Sequence, residues 1–183
     1  GSVAILKGNI APEGSVLKYS ACAMNQREVV NAKARVFNHE EDAHDAVVNN
    51  EINPGEVIII RYEGPRGCGM PEMLMTTEAI VCDERINGSV ALITDGRFSG
   101  ASRGAAIGHV SPEGASGGMI GLIEEGDVIA IDIPNGKLEL KVDDATLAKR
   151  REAWVCPPPN VTKGYLARYA KLVSSANKGA VVE

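Results

Sequence analysis

The chain has 183 residues, a formal net charge of −5 and a hydrophobic fraction of 44%. These values limit the classes of protein to which it can belong. The length suits one domain with a packed core, with or without a long tail. The acidic balance argues against a nucleic-acid surface, which needs clustered basic residues, and against binding to an anionic membrane. No apolar run approaches the roughly 20 residues that span a bilayer. Residues 1–2 are interpreted as a tag remnant, which leaves residues 3–183 as a single domain.

Seven short segments have the alternation or the continuous apolar run that is typical of β-strands. They are residues 3–6, 15–20, 34–37, 57–60, 89–93, 128–133 and 137–142. The run at 57–60 contains only β-branched residues, which predicts a strand buried on both faces. Residues 21–31 have no clear period and are left unassigned.

Helices are predicted between these strands from apolar spacing and end signals. The first is capped at Asn38 and ends near residues 49–50, and the second has Pro71 in its first turn. Small residues at 101–108 suggest a short helix, followed by a loop at 108–114. Asp143 or Asp144 caps a helix that runs to about Trp154, and a basic helix covers 165–173. The polar tail from residue 174 is expected to fray.

The fold class follows from the order of these elements and from one turn. Asn135-Gly136 is the strongest hairpin signal in the chain, and it lies between two predicted strands. A hairpin argues against a purely parallel, doubly wound sheet. We therefore predict a mixed α/β fold, a barrel or sandwich with helices around it.

The four cysteines are widely spaced, at Cys22, Cys68, Cys82 and Cys156. Without a CxxC pair, neither a zinc ribbon nor a local iron–sulfur ligand set is indicated. Nothing suggests a disulfide framework, so a reducing cytoplasm is expected. Cys82 is predicted to lie in the core. Cys68, between two glycines, is interpreted as a small residue that fits a tight loop, with a functional thiol as the alternative.

The first of two turns with site chemistry is a glycine-rich segment at 64–72 that ends in Glu72. This carboxylate can complement the dipole of the helix that follows. The alternative is a hard metal ligand, because Mg²⁺ takes one or two protein carboxylates and keeps other positions for water and substrate oxygens. A single Glu72 would then need partners from elsewhere.

The second turn, at 94–100, places Ser99 between Gly96 and Gly100 and close to Arg97. Ser99 is either an ordinary loop or cap serine, or a hydroxyl at a helix N-terminus whose alkoxide is favoured by backbone donors. His109 is a possible general base. The turn lacks the GxSxG spacing, and no phosphate-binding loop or dinucleotide fingerprint is present. These residues alone indicate an anion or oxyanion site at two turns.

Four segments in fixed order carry a family resemblance: GNIAPEGSV, IRYEGPRGCGMPEML, ALITDGRFSGASRG and GHVSPEGASGG. They closely resemble the C-terminal domain of the dihydroxy-acid dehydratase and sugar-acid (phosphogluconate) dehydratase family, over residues 6 to about 142. The resemblance implies a β-barrel flanked by helices, similar to the swivelling β/β/α domain of aconitase-type enzymes.

The resemblance also implies a hydro-lyase that converts 2,3-dihydroxy acids to 2-keto acids with Mg²⁺ and an iron–sulfur cluster. By the family motifs, Glu72 is a Mg²⁺ ligand and Ser99 is the base that takes the α-proton. Arg97, Gly100 and Met70 are expected to contact substrate. The expected substrate is of the 2,3-dihydroxy-3-methylbutanoate type, from branched-chain amino-acid biosynthesis. An aldonic acid and a non-catalytic carboxylate-binding or interface module are the alternatives.

The chain departs from the family in one respect, because the cluster cysteines and the other Mg²⁺ ligands belong to an N-terminal domain absent here. The four cysteines of this chain do not correspond to them. The chain is therefore interpreted as a fragment or one half of a split enzyme, inactive alone. Its expected partners are its own N-terminal domain, a small dihydroxy acid and, at full length, further copies of itself.

Overall fold

The computed structural model describes residues 1–22 and 29–182, and the strands within these ranges form one eight-stranded sheet. The strands are β1 (Ala4–Leu6), β2 (Gly14–Leu17), β3 (Val29–Phe37), β4 (Val57–Ile60), β5 (Ala91–Thr94), β6 (Ala105–Ser111), β7 (Val128–Asp132) and β8 (Lys137–Leu140). The α-helices are α1 (Glu40–Val48), α2 (Pro65–Cys68), α3 (Leu74–Cys82), α4 (Asp144–Ala153) and α5 (Gly164–Leu172).

The sheet curls into a nearly closed barrel with the order β1-β2-β6-β5-β4-β3-β7-β8. Strands β3, β4, β5 and β6 are parallel neighbours, and the remaining pairs are antiparallel. Lys7 joins the two edges, because its N–H donates to the Gly136 carbonyl at 2.8 Å and its carbonyl accepts from the Leu138 N–H at 2.9 Å. A side chain at Gly8 would overlap the Leu138 carbonyl, so this approach requires glycine. The predicted mixed α/β barrel with flanking helices is confirmed.

Two apolar cores lie on the two faces of the sheet. Because side chains alternate along a strand, β4 contributes Val57 and Ile59 to the barrel interior and Ile58 and Ile60 to the layer under α1 and α3. All four are fully buried, as predicted from their continuous β-branched run. The two helices cover one side of the barrel, and the strand ends remain available for a site.

One predicted helix is wrong. Residues 101–104 form a turn, and the small residues that follow belong to strand β6, which extends through His109 into the predicted loop. Pairing with β2 and β5 on either side outweighs the helical preference of the alanines, which Gly104 and Gly108 already weaken. Gly108 allows the close approach, because a Cβ there would meet the Phe98 ring at 3.0 Å and the Gly96 carbonyl oxygen at 3.3 Å.

Several boundaries differ from the sequence predictions. Pro71 lies in a loop, while Pro65 begins α2 and α3 begins at Leu74. Cys82 is exposed, because the buried face of α3 is formed by Thr76, Thr77 and Ile80. The unassigned segment 21–31 contains the start of β3, and its residues 23–28 lie outside the described residues.

The C-terminal tail folds back along α5 and does not fray within the described range. The Ser174 N–H donates to the Val181 carbonyl at 2.8 Å, and the Tyr169 hydroxyl donates to the Ala180 carbonyl at 2.8 Å.

The predicted hairpin at Asn135-Gly136 is confirmed, as is the Asp143 cap, whose carboxylate accepts from the Thr146 N–H. Among the helices that the structure describes, none combines the length and apolarity needed to cross a membrane.

Candidate active site

The segments that follow the parallel strands meet at one end of the barrel. Parallel neighbours all end at the same edge of a sheet, so the residues after β4, β5 and β6 are brought together there. These residues are Tyr62-Glu63, Asp95-Gly96 and Glu113-Gly114. The glycine-rich turn and the serine turn, which are distant in sequence, both leave from this end.

The two predicted turns are joined by backbone hydrogen bonds. The Arg97 N–H donates to the Pro71 carbonyl at 3.1 Å, and the Met73 N–H donates to the Arg97 carbonyl at 2.9 Å. These bonds place Glu72 and Arg97 side by side as an isolated parallel bridge. The Arg97 Nε donates to the Met70 carbonyl at 2.9 Å, and Arg97 Nη1 lies 3.6 Å from Glu72 Oε1. Three of the five predicted site residues are therefore direct neighbours.

Glu72 is accessible, with 38% of its side chain exposed beside an Arg97 side chain that is 52% exposed. Within the described ranges, no group of three His, Cys, Asp or Glu side chains is placed to hold a metal ion. A single accessible carboxylate still fits Mg²⁺ as one ligand, because this ion commonly takes only one or two from the protein. The remaining ligands would be water, substrate oxygens or groups outside these ranges.

Ser99 lies in a turn and not at a helix N-terminus, so that prediction is wrong. Its hydroxyl accepts from the Ala101 N–H at 3.1 Å, and its carbonyl accepts from the Ser102 N–H at 3.1 Å. No helix follows because the chain enters β6. Gly100 beside it is exposed, and a Cβ there would meet nothing within 4 Å, so approach to Ser99 is open on this side.

Lys18, at the end of β2, is a contact of this turn that the sequence did not indicate. Its ammonium donates to the Ser102 carbonyl at 2.7 Å and also to the Gly100 carbonyl. Both carbonyls belong to the segment that directly follows Ser99, so the structure places a cation on the turn that holds Ser99. The contact spans 82 and 84 residues, so no local pattern reveals it.

His109 lies near this turn but is engaged by other groups. Its backbone N–H donates to the Gly96 carbonyl at 2.8 Å, and its ring centroid is 6.2 Å from that of Phe98. Burial, together with the charge of Arg97, lowers the pKa of His109. No hydrogen bond between His109 and Ser99 occurs among the described residues. The possible pairing of His109 with Ser99 as base and nucleophile is therefore not formed.

Two buried carboxylates lie beneath the turns, and sequence reasoning missed both. Asp95 accepts from the N–H groups of Tyr62, Glu63 and Gly114 at 3.1, 2.9 and 2.8 Å, and burial raises its pKa to about 6. Glu113 accepts from the N–H groups of Arg66 and Gly67 at 3.0 Å, and burial, followed by the Asp95 charge, raises its pKa to about 7. The available signal was an acid followed by glycine directly after a buried strand.

The cysteines do not form a cluster-binding set within the described ranges. Cys22 is buried, Cys82 and Cys156 are exposed, and Cys68 is half-buried. Burial, followed by the neighbouring Glu63, raises the pKa of Cys68 to about 11. A thiol that resists ionisation is a poor iron ligand and a poor nucleophile, which supports the interpretation of Cys68 as a packing residue.

Comparison with known proteins identifies the family of the chain. The family model described as dihydroxy-acid/6-phosphogluconate dehydratase C-terminal matches residues 1–180. This match extends the region of resemblance beyond residue 142 into the C-terminal tail. Proteins named dihydroxy-acid dehydratase from Moorella thermoacetica, Acetivibrio thermocellus and Agathobacter rectalis are 57%, 56% and 58% identical over 184, 184 and 183 residues. The alignments cover 100% of this chain and 33%, 33% and 32% of those relatives, so the chain spans about a third of their length. The chain belongs to the family of dihydroxy-acid/6-phosphogluconate dehydratase C-terminal domains.

Proposed function

We propose that this chain is the C-terminal third of a dihydroxy-acid dehydratase and supplies one metal ligand and the proton-abstracting base. The observation that carries the proposal is the backbone pairing of residues 71–73 with Arg97. It puts an accessible carboxylate, a guanidinium and the Ser99 turn at one end of the barrel. These are the groups needed to bind a hydroxy acid and remove its α-proton.

Glu72 would hold Mg²⁺ through its exposed carboxylate. Bound Mg²⁺ supplies charge that stabilises the carboxylate and hydroxyl oxygens of the substrate as the α-proton leaves. Arg97 is the second cationic group here, and its Nη1 is free to turn from Glu72 toward a substrate carboxylate because both side chains are about half exposed. The Met70 carbonyl accepts from Arg97 Nε and so fixes the position of the guanidinium before it turns toward substrate.

Ser99, as the alkoxide, would take the α-proton, and the electron pair of the broken C–H bond would form the enol double bond as the 3-hydroxyl leaves as hydroxide. Ser99 would then release its proton, which together with that hydroxide makes the water lost. A serine hydroxyl is a weak base, so its ionised form needs stabilisation. The Ala101 N–H, which donates to the hydroxyl oxygen, and the Lys18 ammonium, held on the neighbouring carbonyls, provide it. Gly100 leaves the approach to this oxygen clear of a side chain.

The proposal assigns the iron–sulfur cluster and the remaining Mg²⁺ ligands to an N-terminal domain outside this chain, since the described thiols do not suit a cluster. It also carries over from the family a homo-oligomeric assembly and a cytoplasmic setting. The substrate is of the 2,3-dihydroxy-3-methylbutanoate type, a choice supported by three relatives named dihydroxy-acid dehydratase at 56–58% identity. A sugar acid is the second candidate, because the description of the family model also includes 6-phosphogluconate dehydratase.

An anaerobic assay of 2-keto-acid formation by the full-length protein tests this proposal. The substrates are 2,3-dihydroxyisovalerate, gluconate and xylonate, with iron, sulfide and magnesium contents measured in the same sample. We expect turnover of the dihydroxyisovalerate and little or none of the aldonates. Turnover of aldonates alone would transfer the assignment to the second candidate. Failure on all three by a fully loaded enzyme would leave a carboxylate-binding module as the better description.

A further inference from the structure

Three strand-end segments at the site converge on two buried carboxylates. We propose that Asp95 and Glu113, here called the carboxylate clamp, are positioning residues. They fix the spacing between the glycine-rich turn that ends in Glu72 and the turn that holds Ser99. Neither side chain reaches the surface, since Asp95 is 0% and Glu113 is 3% exposed. The clamp therefore acts through the backbone and not by touching substrate. Its predicted effect on turnover rests on the proposed function, whereas its effect on the segments does not.

Asp95 ties together the chain after β4, β5 and β6. Its Oδ1 accepts from the Glu63 N–H, and its Oδ2 accepts from the N–H groups of Tyr62 and Gly114. All three partners are remote in sequence: Tyr62 and Glu63 lie 33 and 32 residues before Asp95, and Gly114 lies 19 residues after it. Gly114 leaves room for the carboxylate, because a Cβ there would lie 3.3 Å from Asp95 Oδ2 and 3.1 Å from the Tyr62 ring.

Glu113 extends the same connection to the glycine-rich turn. Its carboxylate accepts from the Arg66 and Gly67 N–H groups in the first turn of α2, so it holds the segment that leads to Glu72. A side chain at Gly64 would overlap the Glu113 carboxylate, which fits the close packing at this point.

The link from the clamp to the reacting groups is short. Asp95 directly precedes Gly96 and Arg97, and Arg97 is bonded through its backbone to Pro71 and Met73 on either side of Glu72. Ser99 follows two residues later. Displacement of the segment after β5 therefore moves Ser99 relative to Glu72, and a misplacement of about 1 Å can lower turnover by about 10²-fold.

Ionised carboxylates suit this role because they are acceptors only. Five backbone N–H groups point at the pair, and a neutral amide would turn an N–H group toward at least one of them. The charged neighbours that face the pair are Glu63 and Arg66, and the second lowers the cost of ionising Glu113. Asp95→Asn and Glu113→Gln thus remove the clamp while keeping side-chain volume.

Hydrogen exchange of the 183-residue chain tests the clamp without any turnover. In Asp95→Asn and Glu113→Gln, we expect faster amide exchange at residues 62–73 and 95–103 and unchanged exchange in β7 and β8. The matched control is Asp127→Asn, which removes a carboxylate that accepts from the Glu124 N–H and contacts Arg150 away from these turns. Should exchange rise throughout the barrel, or stay unchanged at both turns, the clamp proposal is wrong. If Asp95→Asn does not fold, Glu113→Gln decides.

Kinetics of the full-length protein provide the second test. Asp95→Asn should lower kcat by about 10- to 100-fold with little change in KM, whereas Asp127→Asn should leave both unchanged. In a Ser99→Ala background the effect of Asp95→Asn should largely disappear, because groups that act as a unit are not additive. If Asp95→Asn lowered kcat by the same factor in the Ser99→Ala background, Asp95 would not act by positioning Ser99. Absence of turnover in the unmodified protein would refute the proposed function, and the exchange result would still decide the clamp.

Discussion

At the scale of single residues, the clamp carboxylates hold the site in one arrangement, but their ionised forms lower the stability of the fold. Burial raises the pKa of Glu113 from 4.5 to about 7, so the folded chain holds its proton more tightly than the unfolded chain does. The contribution of this group to the free energy of unfolding is therefore largest below about pH 4.5 and is lost as the pH rises through about 7. Asp95 acts in the same direction between about 4 and about 6.

Glu113→Gln should remove this pH dependence. The difference in unfolding free energy between variant and wild type should shift by about 3 kcal/mol, in favour of the variant, between pH 4.5 and pH 8. Urea denaturation of the 183-residue chain at several pH values measures it, and exposed carboxylates cancel in the difference. An identical slope for the two proteins would show that Glu113 titrates normally in the fold.

The cysteines give a second prediction at this scale. Because burial and Glu63 raise the pKa of Cys68 to about 11, its thiolate is scarce at pH 8. Exposed Cys82 and Cys156 should react with iodoacetamide well before Cys68, while buried Cys22 should react only on unfolding. Mass spectrometry of the labelled peptides measures the order. Rapid labelling of Cys68 would restore the functional-thiol interpretation.

At the scale of elements, β6 approaches the turn that holds Ser99 closely at Gly108, where a side chain would be crowded. Gly108→Ala places a Cβ against the Phe98 ring and the Gly96 carbonyl, and we expect a loss of about 1–3 kcal/mol of stability from overpacking. Gly100→Ala is the matched control, because nothing lies within 4 Å of its Cβ. Thermal unfolding of both variants checks the prediction. Equal midpoints would mean that the close contact between β6 and the Ser99 turn is absent.

The elements also show where sequence reasoning succeeds and where it stops. Local chemistry predicted β4, the Asn135-Gly136 hairpin and the Asp143 cap, since each depends on residues within one segment. It failed at β6, where pairing with β2 and β5 decides the conformation of small residues. Glu72 and Ser99 were candidates from their turns alone, whereas their specific roles came from the family resemblance and stay predictions. Asp95, Glu113 and Lys18 were missed because their roles consist of contacts 19 to 84 residues away.

At the scale of the whole molecule, the proposed function makes this chain one part of a larger site. Among the described residues Glu72 belongs to no group of three possible metal ligands, and the chain spans about a third of the length of its named relatives. We expect the 183-residue chain to bind Mn²⁺ only weakly, with millimolar affinity at best, and to form no 2-keto acid. Electron paramagnetic resonance of added Mn²⁺ and the keto-acid assay measure the two properties. Turnover by the chain alone would show that the assignment of a second domain is wrong.

If Ser99 is the base of a dehydration reaction, its replacement must slow turnover, and kcat for Ser99→Ala in the full-length protein measures this. Metal content and thermal stability are measured alongside, and Ser89→Ala, whose hydroxyl bonds only the Ile86 carbonyl among the described residues, serves as the control. We predict a fall of about 10²-fold or more for Ser99→Ala and wild-type turnover for Ser89→Ala. Wild-type turnover by a fully loaded Ser99→Ala enzyme would contradict the account.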